Sequence, residues 1–419
     1  MEIYTKVLLW VIPFFLIMIL VEIAYGHFTG KQTYTFMDTL SSLSSGMTNI
    51  LKDVLGLVVV IVSYPYLVEH ISIINLENSL SLYIIAFICV DFASYWNHRL
   101  NHKINFFWNQ HIIHHSSEEF NLACALRQSV SDLLGYTALF LIPAALLGIP
   151  QEAIALLAPL HLFGQFWYHT RHIGKLGILE YILVTPSQHR VHHAINSIYI
   201  DKNLSAIFCV WDRLFGTFQE ELEEEPPVYG VLKPVHTWNP LIINYQHLWG
   251  MLRDAWYTRS WREKLTLWWK PTGYRPNDVA KRFPRKIINT ESPIEKYNPK
   301  TSFFKKGWAL FQWLCITLMM FFLLARYESF SSFQALLFGS LIAVSIFGFT
   351  SLMDGYSWAY RFEIARNILG LSFFILPYQN NFYLHQLPGL YYFGLIYFTL
   401  SLIGLKLMDK KREFSLKGG

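Results

Sequence analysis

The stretch from Asn97 to Gln128 reads NHRLNHKINFFWNQHIIHHSSEEFNLACALRQ and carries five histidines. His98 and His102 stand four residues apart, so a helix through them turns both rings to one face. His111, His114 and His115 follow at a spacing that lets two or three rings converge within one turn. A second set comes later: His169, then His189, His192 and His193 in QHRVHH. Of the sixteen histidines in the chain, eleven fall between His98 and His193, a density that chance does not give in so apolar a chain. Neutral imidazole is the commonest metal-ligand side chain, and nine of them can fill two coordination spheres with positions left for oxygen or water. All-imidazole sites suit iron, zinc or copper, whereas magnesium and calcium want oxygen. Structural zinc is content with four ligands. Zinc alone is thus a poor reason for nine, and a pair of redox-active irons beside a membrane would suggest activation of oxygen against a C–H bond of a lipid.

A lone histidine is usually packed or solvated, and His27, His70, His236, His247 and His385 are read that way. His161 and His172 lie near the sets but outside the tight spacings, which suits a supporting role. Metal-bound imidazoles normally donate their second N–H to a carboxylate or carbonyl. Asp91, Glu118, Asp132, Asp201 and Asp212 are placed to accept; Asp91 leads, because a carboxylate inside an apolar block is costly and marks function by default. Thr185-Pro186-Ser187 resembles a helix start, with Ser187 as N-cap of the helix holding HRVHH.

The elements that must position these groups are apolar. Of 419 residues, 53% are hydrophobic and 17% aromatic, only 15% are charged, and the mean hydropathy is +0.29. Ordinary soluble domains carry about 25% charged residues. The apolar residues come in nine blocks: 7–25, 50–68, 80–96, 133–149, 153–168, 308–325, 333–352, 358–376 and 390–407. These read as about nine membrane-spanning helices of an all-α polytopic protein, the first a retained anchor rather than a signal peptide. A polar loop is expected between the first two. The pair 133–168 is a hairpin that returns the chain to the side it left, as one site shared by both histidine sets requires. Residues 1–90, 91–306 and 307–419 then divide into an N-terminal membrane part, a catalytic region that includes the hairpin, and a C-terminal membrane part with a basic tail.

Twenty of the 34 Lys and Arg lie between His169 and Lys306. With the histidine sets placed on the cytoplasmic side, the loops EHISIINLENS and PYQNNFYLHQLP fall outside and contain no Lys or Arg, as the positive-inside rule demands. The basic segment then faces anionic lipid rather than nucleic acid. Cys89, Cys124, Cys209 and Cys315 are scattered with no CxxC, which supports neither a disulfide framework nor a zinc ribbon. A bacterial inner membrane and an endoplasmic reticulum fit equally, and the oligomeric state stays open.

At the histidines the chain resembles the fatty acid hydroxylase/sterol desaturase superfamily, whose pattern is HxxxH, HxxHH, a lone His, then HxxHH. HHSSEEFNLACALRQS, QFWYHT, TPSQHRVHH, the DKN of Asp201 to Asn203 and WDRLFGTF are similar to its alkylglycerol-cleaving branch. Two positions depart from that branch: Lys103 replaces an acidic residue, and Gln188 stands where histidine is frequent. The resemblance implies a di-iron enzyme with tetrahydrobiopterin as reductant. It would hydroxylate the ether-linked carbon of an alkylglycerol with O2, and the hemiacetal would fall apart into a fatty aldehyde and a glycerol derivative. It also implies that His98, His102, His111, His114, His115, His169, His189, His192 and His193 hold the metals, with Asp91, Glu118, His172 and Asp201 behind them. No haem or iron–sulfur signature is present, so electrons come from a separate molecule.

Two other readings compete. One is a sterol, fatty acid or carotenoid hydroxylase or desaturase fed by a redox protein. The other is a metal transporter or sensor, which should place ligands near the midplane of several spans. The histidines cluster instead at helix ends and in the polar segment, and Glu363 with Arg366 at i, i+3 suits local pairing.

Overall fold

The computed structural model describes residues 2–288, 295–376 and 382–417, and is mostly helical. In chain order the helices are α1 (Glu2–Phe28), α2 (Phe36–Val54), α3 (Tyr64–Ile71), α4 (Leu80–Lys103), α5 (Asn105–Trp108), α6 (Ile112–His115), α7 (Ile142–Leu146), α8 (Gln151–Phe163) and α9 (Pro186–His192). They continue with α10 (Val210–Leu214), α11 (Pro240–Tyr257), α12 (Trp261–Thr266), α13 (Asn277–Arg282), α14 (Phe303–Ala325), α15 (Ser332–Asp354), α16 (Ala359–Ile375), α17 (Phe382–Gln386) and α18 (Pro388–Lys417). A two-residue parallel pairing of β1 (Val59–Val60) with β2 (Leu134–Gly135) is the one sheet among the described residues.

Five helices, not nine, are long and apolar enough to cross a membrane among the described residues: α1, α4, α14, α15 and the first part of α18. The block 50–68 is not one helix. α2 ends at Val54, Gly56 takes a left-handed φ of 63°, and β1 intervenes before Ser63 caps α3. The blocks 133–149 and 153–168 become a 3-10 turn, the five-residue α7 and the thirteen-residue α8. Thirteen residues rise about 20 Å, short of the ~30 Å hydrocarbon core. Their hydrophobicity is used instead in packing on α4, where Ala86, Ala144, Ala145 and Ile149 are fully buried. Gly148 makes the turn between α7 and α8: its φ is 62°, and a Cβ there would lie 1.9 Å from the Ile74 carbonyl oxygen. The block 358–376 gives α16, seventeen residues long, with Glu363 and Arg366 inside it.

The loop expected after the first span is largely helix α2, and its polarity has a structural cause. Ser41, Ser42, Ser44 and Ser45 are all fully buried on one face. Ser41 donates to the Trp238 carbonyl and Ser45 to the Gln128 carbonyl, so the helix grips the histidine-bearing segment with hydroxyls. The other face of α2 joins the core of α14, α15, α16 and α18. Within that core Arg366 makes a two-pronged pair with Glu363 (2.9 and 2.7 Å) and also donates to Gln312, Ser345 and Tyr397. A buried charge pair survives in such a place only when its remaining polar atoms are also bonded.

Candidate metal centre

All nine histidines of the two sets come together in two adjoining groups. His98, His102, His111, His115 and His192 form one; His114, His169, His189 and His193 form the other. Within each group one ring nitrogen per residue lies within 4.8 Å of all the others. The split follows helical geometry. His98/His102, His111/His115 and His189/His193 are i, i+4 pairs whose rings share a face, and each pair enters one group whole. His114 and His192, one residue out of phase with a pair, swing to the opposite group. Rings of the two groups touch, with His115 stacked on His193 at 4.4 Å.

Five of the nine rings have their outward nitrogen engaged. Nδ1–H of His98 donates to the Leu204 carbonyl (2.8 Å), that of His114 to Arg127 (3.2 Å), that of His169 to Gln165 (3.0 Å) and that of His192 to Lys202 (3.0 Å). His102 Nδ1 reaches the Asp201 carboxylate at 3.3 Å. A carbonyl can only accept, so these bonds fix the tautomer and leave a bare lone pair on Nε2, facing inward. His114 and His169 both have Nδ1 committed, yet their Nε2 atoms stand 3.4 Å apart. Two lone pairs so placed repel unless a cation lies between them. Nε2 of His98 and His111 are 2.9 Å apart, and Nε2 of His189 is 2.8 Å from His169 and 3.0 Å from His193. Nitrogens bound at about 2.0–2.1 Å to one ion sit roughly 3.0–3.4 Å from each other. The buried Nε2 atoms of His102, His115 and His192 have no hydrogen-bond partner among the described residues. Orphaned inward donor atoms, committed outward ones and coordination-sphere spacing are what a metal site requires.

Burial keeps these rings neutral, the form that binds metal. It pushes the His114 imidazole down to about 3, and those of His111, His115, His169, His189, His192 and His193 well below the usual range, with neighbouring imidazoles adding to the effect. In the unfolded chain the same rings take up protons near pH 6.5. Their contribution to stability is therefore complete above about pH 6.5 and drains away as the pH falls from there toward about 3. Metal-free protein is expected to unfold steeply within that window in a tryptophan-fluorescence titration, and added ferrous iron should move the midpoint to lower pH.

Several loops exist to present the accepting carbonyls. Asp201 and Asn203 both take left-handed backbone, φ 57° and 51°, which turns the Lys202 and Leu204 carbonyls toward the rings. Asn203 braces this turn by donating to the Gln188 and Gln219 carbonyls. Asp212 accepts from the Leu204 and Ser205 amides and the Thr217 hydroxyl, which gives the WDRLFGT segment its task. Arg127, fully buried, donates to Ser42, Ser116 and Asp38, so the segment that holds His114 is locked to α2.

The four supporting residues named from sequence part ways. Asp201 does stand behind His102; although burial raises its carboxyl pKa, hydrogen bonds from His102 and Lys103 hold it below the usual range. Lys103 reaches it at 2.7 Å. Asp91 does not touch any of the nine rings. It accepts from His161 Nε2 (2.7 Å), the Ile207 and Phe208 amides and the Trp211 indole, and so fastens α4 to α8 and to the 207–211 turn. Its effect arrives indirectly: Gln165 donates to His161 Nδ1 and offers its own carbonyl to His169. Glu118 accepts from the Tyr297 amide (2.6 Å), and His172 meets the Tyr25 ring; neither reaches the groups. Ser187 is not the N-cap. That position is Thr185, and Ser187 donates to Glu180. The substitution Asp201→Asn removes the charge behind His102, and metal affinity should fall about 10- to 100-fold, measured by competition with a metal-sensitive dye.

Residues 83–217, which hold all nine histidines, match the fatty acid hydroxylase family. Over 367 residues, 85% of this chain and 80% of the relative, the sequence is 34% identical to the alkylglycerol monooxygenase of Danio rerio. The chain belongs to the fatty acid hydroxylase family. It is also 38% identical to the Homo sapiens alkylglycerol monooxygenase over 284 residues, which are 67% of this chain and 62% of that protein. An ornithine lipid hydroxylase of Rhizobium tropici is 30% identical over 135 residues, 32% of this chain and 41% of its own. No solved structure matches. The chain thus joins membership of this family to five helices of membrane-crossing length and a histidine site suited to metal.

Proposed function

We propose that this chain is an integral membrane di-iron monooxygenase that hydroxylates the ether-linked carbon of alkylglycerols. The observation that carries the reading is the pair of inward-facing imidazole groups, five and four, within a chain similar over most of its length to alkylglycerol monooxygenases. His98, His102, His111, His115 and His192 would hold one iron, and His114, His169, His189 and His193 the other. Imidazole donors without thiolate suit iron, and fewer than six protein ligands per ion leave room for substrate. When bound, the irons supply oxygen activation, with two electrons from tetrahydrobiopterin.

What the protein itself contributes is orientation and exclusion of water. The Leu204, Lys202, Arg127 and Gln165 carbonyls hold the imidazoles in one tautomer, so no ring need turn over when metal enters. Phe120 and Tyr168 pack against His169, His189 and His193 and keep the second group dry. One atom of O2 entering a C–H bond of the ether carbon gives a hemiacetal, while the other leaves as water with the two supplied electrons and two protons. Passage of the hemiacetal's hydroxyl proton to the ether oxygen as the C–O bond breaks then releases fatty aldehyde and glycerol. The active site faces the cytoplasmic side, in keeping with the basic segment between His169 and Lys306.

The test is release of fatty aldehyde from a 1-O-alkylglycerol by iron-loaded protein in detergent, with and without tetrahydrobiopterin. Pterin-dependent aldehyde is the expected result. The similarity to an ornithine lipid hydroxylase favours a second reading, hydroxylation of another membrane lipid with a redox protein as donor. Oxygen consumption with a different lipid, in the absence of pterin, would select it.

A further inference from the structure

A cavity of about 290 Å³ opens beside, not within, the histidine groups, between Lys31, Gln32 and Thr33 on one side and Arg171 and His172 on the other. The mechanism uses none of these residues. The loop that brings the first three there is set by the end of α1. Gly30 takes a left-handed φ of 70°, Lys31 N–H donates back to the Gly26 carbonyl, and the bare Cα of Gly26 lets Gln32 lie close. Gln32 is occupied as a brace, donating to the Ile23 carbonyl and accepting from the Thr33 and Tyr34 amides.

What remains around the cavity is polar and cationic. Thr33 is only 5% exposed, and among the described residues neither its buried Oγ1 nor the buried Nε2 of His172 has a partner. The ammonium of Lys31 and the guanidinium of Arg171 both reach solvent, and Arg171 lies over the Tyr229 ring. The nearby carboxylates are engaged elsewhere: Glu22 accepts from Thr170, Tyr34 and the Leu122 amide, and Glu119 pairs with Lys296 at 2.7 Å. Two exposed cations lining one polar cavity suit an anion with several acceptor oxygens, and a phosphate has that form.

The position says where such a phosphate comes from. The cavity lies at the C-terminal end of α1, a membrane-length helix whose Ile17, Leu20, Val21 and Tyr25 are more than half exposed. A bilayer's head groups begin at that level, with hydrocarbon alongside the helix. Tyr229 under Arg171 stacks on Phe120, which in turn packs against His193, so two stacked rings lead from Arg171 to the second histidine group.

We infer that this cavity binds the phosphate of a lipid head group, so that the enzyme takes phosphorylated ether lipids in preference to uncharged ones. The inference rests on the lipid reading of the metal centre. Its test uses the iron-loaded chain in detergent under anaerobic conditions, so that no lipid is consumed, titrated with 1-O-hexadecylglycerol 3-phosphate, with uncharged 1-O-hexadecylglycerol, and with inorganic phosphate. Binding is followed by native mass spectrometry. The wild type should hold the phosphorylated lipid at least about tenfold more tightly than the uncharged one. The Lys31→Gln, Arg171→Gln variant should lose that preference and bind the uncharged lipid as before; both positions are exposed, so the fold is spared. Equal affinity of the wild type for the two lipids, or a preference that survives in the variant, overturns the inference. Inorganic phosphate bound as tightly as the phosphorylated lipid would make the site one for a free anion and overturn the lipid assignment. If charge-dependent binding is seen but iron-loaded enzyme oxidises neither lipid, the head-group site stands and the proposed activity falls.

Discussion

Replacing His102 and His192 together by alanine should empty the five-imidazole group while leaving the four-imidazole group able to bind. The reverse pair, His169 and His189, should do the opposite. Turnover should fall by more than about 100-fold in either variant, since loss of a ligand is costlier than loss of its hydrogen-bond partner, which alone costs about 10- to 100-fold. On the di-iron reading proposed above, oxygen activation needs both ions, so a single filled group gives no partial enzyme. Metal analysis of the two variants, each retaining about one ion per chain, separates this outcome from global unfolding, which would lose both. The division into groups is testable in this way because consecutive residues, His114 and His115 or His192 and His193, serve different groups.

Arg127→Met should be strongly destabilising. Arg127 and Asp38 are 1% and 2% exposed, their charged atoms 2.5 Å apart, and the pair joins α2 to the segment whose carbonyl orients His114. Removing one member of a buried pair strands the other charge and costs about 3–5 kcal/mol. The double variant Arg127→Met, Asp38→Asn should recover much of that loss, because neutral replacement of a whole pair is close to neutral. Thermal aggregation midpoints in one detergent compare the three proteins. A double variant no better than the single one would mean that the guanidinium's bonds to Ser42 and Ser116, rather than the stranded charge, carry the cost.

The nine histidines were legible because ligand chemistry restricts residue type and helical repeat restricts spacing. The spacing could not show that HxxHH divides between two groups, since that depends on where the second segment approaches. Nor could residue types reveal the accepting carbonyls of Leu204, Lys202, Arg127 and Gln165, because a backbone oxygen has no sequence signature. The left-handed Asp201 and Asn203 were the available hint, as Asp and Asn tolerate that conformation better than most residues.

The membrane part was less legible, for a physical reason. Hydropathy reports that a segment avoids water, not what covers it. Residues 133–168 are apolar because they pack on α4, and they are too short as helices to cross a bilayer. The error runs the other way at α2, whose serine-rich sequence reads as loop but whose hydroxyls are buried against carbonyls. Asp91 was singled out rightly as a costly buried carboxylate, yet four donors from α8 and the 207–211 turn account for it without any metal-group histidine.

The most direct test of the central claim is the metal content of the wild-type chain, expressed anaerobically with ample iron and purified in detergent. The account predicts about two iron ions per chain, both lost when His102 and His192 of one group and His169 and His189 of the other are changed to alanine together. Protein that binds no iron under these conditions, or a variant that keeps its full complement, would contradict it.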